Sequence, residues 1–322
     1  MIGIEAIGVL HPGPAVALAG LAELASLPEA DRQVCLGLGV ETIHDAGGRP
    51  AAELAAEACG LALDEAGVDP EEVDALLLAG SRAPEYLVAS EATRVQHLAG
   101  LRRAVALTVT DLGCVSSSAA LLMARALLGT QPTWRRVLFA CGSRPAGVRR
   151  FRRPVSVSGD VGLAALVSRS PRIELLDVLL ETDGRYWDLF RVEFRDRPPA
   201  EWEEACVDVP TYSLKLAVES RNRFAALNGR LLEPHGLGVE DVDHVVMQNI
   251  SIGALRFYEQ SLGVRFAGAC AENLRVYGHL GPADVLLNLW TGLTTGEFAP
   301  GETVLVMNNS PAAAWSSALV RL

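Results

Sequence analysis

The stretch GVDPEEVDALLLAG, Gly67 to Gly80, has an echo in the second half of the chain, GVEDVDHVVMQN, Gly238 to Asn249. In each copy a helical segment ends at glycine, an acidic turn follows, and a Val-Asp pair opens a run rich in β-branched residues or leucine. A second echo extends the first. The apolar segment after Cys114 and the segment Ala283 to Leu293 each follow a turn, and each leads into a strand, Arg136-Val-Leu-Phe-Ala140 and Thr303-Val-Leu-Val-Met307. Chance can supply one echo; two in the same order predict an internally duplicated α/β chain. The halves are expected at 1–170 and 171–322, divided after SVSGDVGLAALVSRSP (156–171), where a strand pair closes and Ser-Pro punctuates. The region 184–210, with Trp187, Phe190, Trp202 and an Arg-Asp-Arg-Pro-Pro break, fits neither copy and reads as an insertion able to shape a substrate pocket.

The first copy of the second echo contains TDLGCVSSSAALLMARALL, Thr110 to Leu128. Upstream, Ala104 to Val109 reads as a buried strand; downstream, Ala119 to Leu128 is rich in good helix formers. Cys114 therefore falls at a strand-to-helix turn. Ser116, Ser117 and Ser118 offer capping hydroxyls, and free N–H groups at the positive end of a helix favour thiolate over thiol. These residues alone leave two readings of Cys114: an activated nucleophile, or one of the inert cysteines common in cores.

Half of the 322 residues are hydrophobic, enough for a large core in one α/β unit or two domains. A net charge of -11 provides no general field that attracts phosphates, which argues against nucleic-acid binding. The six cysteines, at 35, 59, 114, 141, 206 and 270, form no CxxC pair. Neither a zinc site nor a small disulfide scaffold is expected from them, and they read as reduced and cytosolic. The N-terminus MIGIEAIGVLHPG lacks a basic region ahead of a long apolar core, and no run offers about twenty uninterrupted apolar residues. A cytoplasmic protein with neither secretion signal nor membrane span is expected.

Four motifs carry a resemblance along nearly the whole chain: the cysteine stretch 110–128, SVSGDVGLAALV (156–167), VYGHLGPADVLLNL (276–289) and SPAAAWSSALVRL (310–322). Together they are similar to motifs of the β-ketoacyl-acyl carrier protein synthase III branch of the thiolase-fold enzymes. The resemblance implies a five-layer αβαβα fold of two similar halves and a homodimer. It also implies a cysteine that accepts an acyl group from coenzyme A or an acyl carrier protein, with no permanently bound cofactor and no metal. In the condensing members a histidine and an asparagine beside the cysteine stabilise the enolate left when a malonyl thioester loses CO2. Aligned on this chain, Gln248 stands at the histidine position and His279 at the asparagine position. Gln248 can donate a hydrogen bond to a thioester carbonyl but cannot exchange a proton near neutral pH; His279 can.

The pattern resembles the subgroup in specialised metabolism that passes an acyl group to a hydroxyl or amine. That reaction needs a nucleophile, a base and an oxyanion hole, and no enolate site. The resemblance places the oxyanion hole at the backbone N–H groups of Cys114 and Ala312. The latter lies in Ser310-Pro-Ala-Ala-Ala314, which replaces the family's glycine-rich loop and whose alanines resist positive φ. Asp284, one helical turn beyond His279, either orients its imidazole or caps the helix that follows. His244 reads as a strand-edge residue outside the site. Arg144, Arg149, Arg150, Arg152 and Arg153, within SRPAGVRRFRRPV (143–155), read either as a solvated loop or as a dock for coenzyme A phosphates or an acidic carrier protein. The expectation is an acyltransferase: a thioester acylates Cys114, and a small-molecule hydroxyl or amine deprotonated by His279 attacks the acyl-enzyme. Its rivals are a decarboxylative condensing enzyme and a non-catalytic partner subunit, and the retained Cys114 speaks against the last.

Overall fold

The structure, a computed structural model, describes residues 1–80, 82–311 and 313–322, without the side chain of Ala205. A nine-stranded mixed sheet runs through it. Strands β1 (Gly3–Leu10), β2 (Ala75–Ala79), β3 (Val105–Val109), β4 (Arg136–Ser143) and β5 (Val161–Ser168) form one flank. Strands β6 (Ile173–Thr182), β7 (His244–Met247), β8 (Thr303–Ser310) and β9 (Ala314–Arg321) form the other, in the overall order β7-β8-β9-β6-β1-β5-β4-β2-β3. The longer helices are α1 (Glu29–Leu36), α2 (Ala51–Ala66), α3 (Glu91–Leu98), α4 (Ser116–Thr130), α5 (Ala217–Leu232), α6 (Ile252–Leu262), α7 (Gly268–Tyr277) and α8 (Asp284–Thr295).

The two flanks share one pairing pattern. β2 runs parallel to β4 as β7 runs parallel to β8, while β4–β5 and β5–β1 are antiparallel as β8–β9 and β9–β6 are. The echoing stretches thus contain equivalent strands, β2 and β7. Gly3 and Ile4 of β1 join the flanks by pairing with β6. Gly67, at φ +64, ends α2 in the left-handed conformation, and Gly236, at φ +68, does the same after α5 and its short extension.

Side chains alternate across the first flank with the strand period of two. Leu76, Leu78, Leu138 and Ala140 join α2 and α3 in one apolar cluster, while Leu77, Ala79, Phe139 and Cys141 face the middle of the molecule. There they meet Ala120, Ala124 and Leu128 of α4 and Val285, Leu286 and Leu289 of α8. Helix α5 packs on β6 and β9. The result is a layered α/β architecture of the thiolase type, with helices outside, two sheet flanks, and α4 and α8 between them. Helix α2 is alanine-rich because it is pressed onto the sheet: a Cβ at Gly8, Gly142 or Gly162 would lie 2.4, 1.9 or 2.1 Å from its backbone. By length and composition the segment Gly113–Thr130 is apolar enough to cross a membrane; in this fold it is the middle helix, with Ala120, Ala124 and Leu128 fully buried.

Strand β3 departs from expectation. It is the outermost strand of its flank, paired among the described residues with β2 alone, and Val105 and Leu107 are 48% and 37% exposed. Its β-branched run reflects strand propensity, which an edge strand shares with a buried one. Within the insertion, Phe190–Arg191 pairs with Ala205–Cys206, and a π-helical turn over Thr211–Leu216 leads into α5.

Candidate active site

The turn that carries Cys114 needs unusual backbone: Asp111 and Gly113 sit at φ +66 and +54, and a Cβ at Gly113 would come within 3.1 Å of the Ser310 Cβ. Cys114 is buried in a 3-10 turn, Gly113–Val115, that runs straight into α4. The three serines do not cap this helix. Its N-cap residue is Val115; Ser117 Oγ donates to the Cys114 carbonyl at 3.3 Å, and Ser118 Oγ accepts from Ser316 of β9 at 2.8 Å. Asn308 of β8, which the sequence analysis did not single out, donates from Nδ2 to the same Cys114 carbonyl at 2.8 Å. The second flank thus holds the cysteine turn through side chains of β8 and β9.

His279 arrives from the other flank. Helix α7 ends at Gly278, φ +68, where a Cβ would lie 2.7 Å from the Val157 carbonyl oxygen. This close approach lets the His279 N–H donate to the Val157 carbonyl at 2.8 Å, while the His279 carbonyl accepts from the Gly159 N–H at 3.2 Å. The SVSGDVG hairpin therefore positions the histidine. Its Nε2 lies 3.3 Å from the Cys114 Sγ, and its Nδ1 lies 2.6 Å from Asp284 Oδ2. Asp284 is the first residue of α8, fully buried, and its carboxylate also accepts from the N–H groups of Asn249 at 3.0 Å and Leu280 at 2.7 Å. Ala283, not Asp284, is the N-cap residue of α8, so the contact made is the one to the imidazole.

Burial alone would raise the thiol and lower the imidazole. The facing charges outweigh it: the imidazolium, helped by Arg82 and Arg152, lowers Cys114 below the ordinary thiol value, and Asp284 with the thiolate raises His279 to about 9. Both shifts favour thiolate and imidazolium over thiol and neutral imidazole. The other five cysteines go the opposite way. Burial pushes Cys35, Cys141 and Cys270 up to about 12 and raises Cys59 and Cys206 as well. A lowered thiol, a proton-moving ring and a carboxylate behind it can carry nucleophilic acyl chemistry.

Gln248, just beyond β7, lines the same small chamber as Cys114 and His279. Its Nε2 donates to Asn309 Oδ1, and its Oε1 has no protein partner. Ala312 lies outside the described residues. Its neighbour Ala313 takes φ +52, so the tight Ser310–Ala314 hairpin imposes on an alanine the conformation that alanine resists. His244 is paired with Glu302 at 2.8 Å, consistent with its strand-edge reading. Among the described residues no group of three or more His, Cys, Asp or Glu side chains could hold a metal ion.

The arginine run is not the free basic surface considered above. Arg150 is bidentate to Asp160 at 2.8 and 3.0 Å and lies 2.9 Å from Asp45; Arg152 is buried and 2.9 Å from Glu204. Arg149 pairs with Glu203 at 2.7 Å, Arg153 with Asp31, and Arg144 with the carbonyls of Gly48 and Arg49. Their partners come from distant segments, which is why neither reading foresaw them. Arg82 and Glu204 were also missed. The Glu204 carboxylate accepts from Arg152 through Oε1 and from Arg82 through Oε2, at 3.0 Å; although burial raises it, the two guanidiniums hold this carboxyl at about 2.

Known proteins share this architecture. Residues 232–322 match the family model described as 3-oxoacyl-[acyl-carrier-protein] synthase III C terminal. The chain is 27% identical over 296 residues to the β-ketoacyl-[acyl-carrier-protein] synthase III of Nitratidesulfovibrio vulgaris, covering 90% of this chain and 89% of that one. With the enzyme of the same name from Coxiella burnetii it is 21% identical over 323 residues, covering 99% and 98%. Among solved structures, the acyltransferase ChlB3 superposes with a TM-score of 0.85 at 22% identity, over 100% of this chain and 97% of that one. The 3-oxoacyl-(acyl carrier protein) synthase III of Pseudomonas aeruginosa PAO1 superposes at 0.80 and 20% identity, over 99% and 98%. The C-terminal part of the chain thus matches the 3-oxoacyl-[acyl-carrier-protein] synthase III model, and nearly the whole chain is similar to enzymes of that name in sequence and in its thiolase-type fold.

Proposed function

We propose that the protein is an acyltransferase working through a Cys114 acyl-enzyme. One observation carries this reading: His279 stands between Cys114 and Asp284, 3.3 Å from the sulfur and 2.6 Å from the carboxylate. In the first step the thiolate attacks the carbonyl of a donor thioester R–CO–SR′. The bond to SR′ breaks, the imidazolium proton goes to the departing thiolate, and R′–SH leaves. The acylated sulfur bears no charge, so the buried imidazole has lost one of the two partners that favoured its protonated form. It now rests neutral, with Nδ1–H on Asp284 and Nε2 free to accept.

In the second step an acceptor hydroxyl or amine attacks the acyl carbon while its proton passes to Nε2. Collapse of the tetrahedral adduct expels the Cys114 thiolate and restores the ion pair. The backbone N–H groups of Cys114 and Ala312 are our candidates for holding the oxyanion in both steps. The donor would be an acyl group on coenzyme A or on an acyl carrier protein, the latter supported by the names of the sequence relatives. On the same footing we take 1–170 and 171–322 as the two halves, supported by the strand order that repeats on either side of Arg169–Arg172.

Condensation of the acyl-enzyme with a malonyl thioester is the second reading, favoured by the relatives' names. Enolate formation asks for two hydrogen-bond donors free to face the thioester oxygen. One N–H of Gln248 Nε2 is committed to Asn309 Oδ1, and His279 Nε2, set by Asp284 at Nδ1, faces the Cys114 sulfur as a proton carrier, which supports transfer instead. Product analysis separates the two. Incubation with an acyl thioester, a malonyl thioester and a panel of hydroxyl and amine acceptors should yield an ester or amide; a β-keto product with CO2 release and no ester or amide would reverse the choice.

A further inference from the structure

Two spaces flank the cysteine turn. The thiol opens into a small chamber that continues past Val155, Tyr212, Leu216 and Ile250 into a mainly apolar cavity of about 320 Å³. On the other side, against Gly113 and Ser116, lies a cavity of about 260 Å³ walled by Arg82, Thr110, Asp111, Ser143 and Arg144. Glu204 stands between the two. Arg152 belongs to the thiol chamber and Arg82 to the second cavity, and one carboxylate bonds both guanidiniums, at 2.9 and 3.0 Å.

A bridge that only tied the insertion to the body would use up its buried donors. This one does not. Arg152, 5% exposed, has an Nε–H without a partner, and Gln248 Oε1 and Ser310 Oγ, on residues 1% and 3% exposed, are unpartnered in the same chamber. Buried polar atoms are rarely left unpaired, and three of them around a reactive sulfur describe a space built for a polar guest. A donor whose arm enters through the apolar cavity has its acyl group directed past the sulfur, towards the Arg152 wall. An alkyl group pressed there would strip water from a guanidinium–carboxylate bridge and return nothing. An oxygen there accepts a charge-assisted hydrogen bond from Arg152 Nε.

We propose that Arg152, steadied by Glu204 and Arg82, reads an oxygen on the donor's acyl group, so that Cys114 accepts acyl groups bearing a hydroxyl or carboxylate near the thioester in preference to alkyl groups of the same size. The proposal rests on the acyl-enzyme reading and names its substrate class. Arg152 contacts the acyl oxygen; Glu204 and Arg82 are positioning residues that set the direction of its Nε–H.

The test uses the full chain and size-matched coenzyme A thioesters: 3-methylbutanoyl against 3-hydroxybutanoyl, and 4-methylpentanoyl against 3-carboxypropanoyl. Time-resolved intact mass reads the rate at which each loads Cys114. The expected result is loading at least about tenfold faster for one or both oxygen-bearing members, the two pairs distinguishing hydroxyl from carboxylate. Glu204→Gln should shrink that ratio and Arg152→Met should remove it, whereas a purely structural bridge would change total loading and leave the ratio alone. Equal rates within both pairs in the unmodified protein overturn the inference while the acyl-enzyme stands, and this comparison needs no variant to fold. A ratio that survives Arg152→Met overturns the assignment to Arg152. Absence of loading by all four thioesters overturns the acyl-enzyme reading and this inference with it.

Discussion

Asp284 Oδ2 lies 2.6 Å from His279 Nδ1, and the same carboxylate accepts from the backbone N–H groups of Asn249 and Leu280. A carboxylate fixed by two backbone donors fixes in turn the plane and tautomer of the ring, leaving Nε2 for the sulfur. The relationship also spans the duplicated fold. Sulfur comes from the turn after β3, the ring from the turn before α8 and the carboxylate from the first residue of α8, and Asn308 of β8 ties the two flanks at the Cys114 carbonyl.

The ion pair predicts an unusual pH profile for alkylation of Cys114. Its thiol is lowered and His279 is raised to about 9, so the thiolate persists beneath the ordinary thiol range while the imidazolium remains charged. The rate of labelling by iodoacetamide should therefore level off at a lower pH than that of an ordinary cysteine, which climbs roughly tenfold per unit below its own thiol range. Asp284→Asn removes the charge that favours imidazolium, so its labelling should fall at pH 6 and regain a steep rise. Peptide mapping should find the other five cysteines protected in the folded protein; a Cys114 profile that coincides with that of an ordinary thiol would contradict the ion pair.

Arg150 is a structural cation. Arg150→Glu would set a carboxylate against buried Asp160 and against Asp45, and should cost about 3–5 kcal/mol of stability, as removal of one member of a buried pair does. Arg149→Glu, on a half-exposed side chain paired with Glu203, should change stability by about 1 kcal/mol or less. Chemical denaturation checks both. Equal, small effects would mean that the Arg150–Asp160 contact contributes little.

His11 predicts an acid-side weakness. Both ring nitrogens are buried without partners and the ring stacks on Tyr277 at a centroid distance of 4.1 Å; burial, then the neighbouring His44 charge, lowers it from 6.5 to about 4. The folded protein thus holds the ring neutral where the unfolded chain would protonate it. The associated stability is present above pH 6.5 and is lost as pH falls towards 4. His11→Phe should flatten the fall in Tm between pH 7 and pH 5; an unchanged slope would assign that fall to other groups.

The duplicated plan was legible because helix, glycine, acidic turn and Val-Asp strand recur with their punctuation intact, and β2 and β7 occupy equivalent places. Cys114 was legible from its strand-to-helix turn, whereas His279 was singled out only by the family resemblance and Asp284 only by its place one helical turn beyond it. Burial of β3 was misjudged because composition reports strand propensity and not strand order. The serines after Cys114 looked like caps, but their small size serves contact with β8 and β9. The Arg82–Glu204–Arg152 bridge had no local signature at all: a loop, a hairpin and an insertion meet only after folding, and the arginine run displayed its charges without their partners.

The central claim is that His279 carries a proton for an incoming acceptor and not for loading alone. A single-turnover experiment with the cognate thioester and acceptor, followed by peptide-mapped mass spectrometry, tests it most directly. The account predicts that the unmodified protein passes its acyl group from Cys114 to a hydroxyl or amine. In His279→Ala, an acyl adduct on Cys114 should persist because its release to the acceptor slows by about 10²- to 10⁴-fold. Release from His279→Ala at the unmodified rate, or an adduct on Cys59 or Cys141 in place of Cys114, would contradict it.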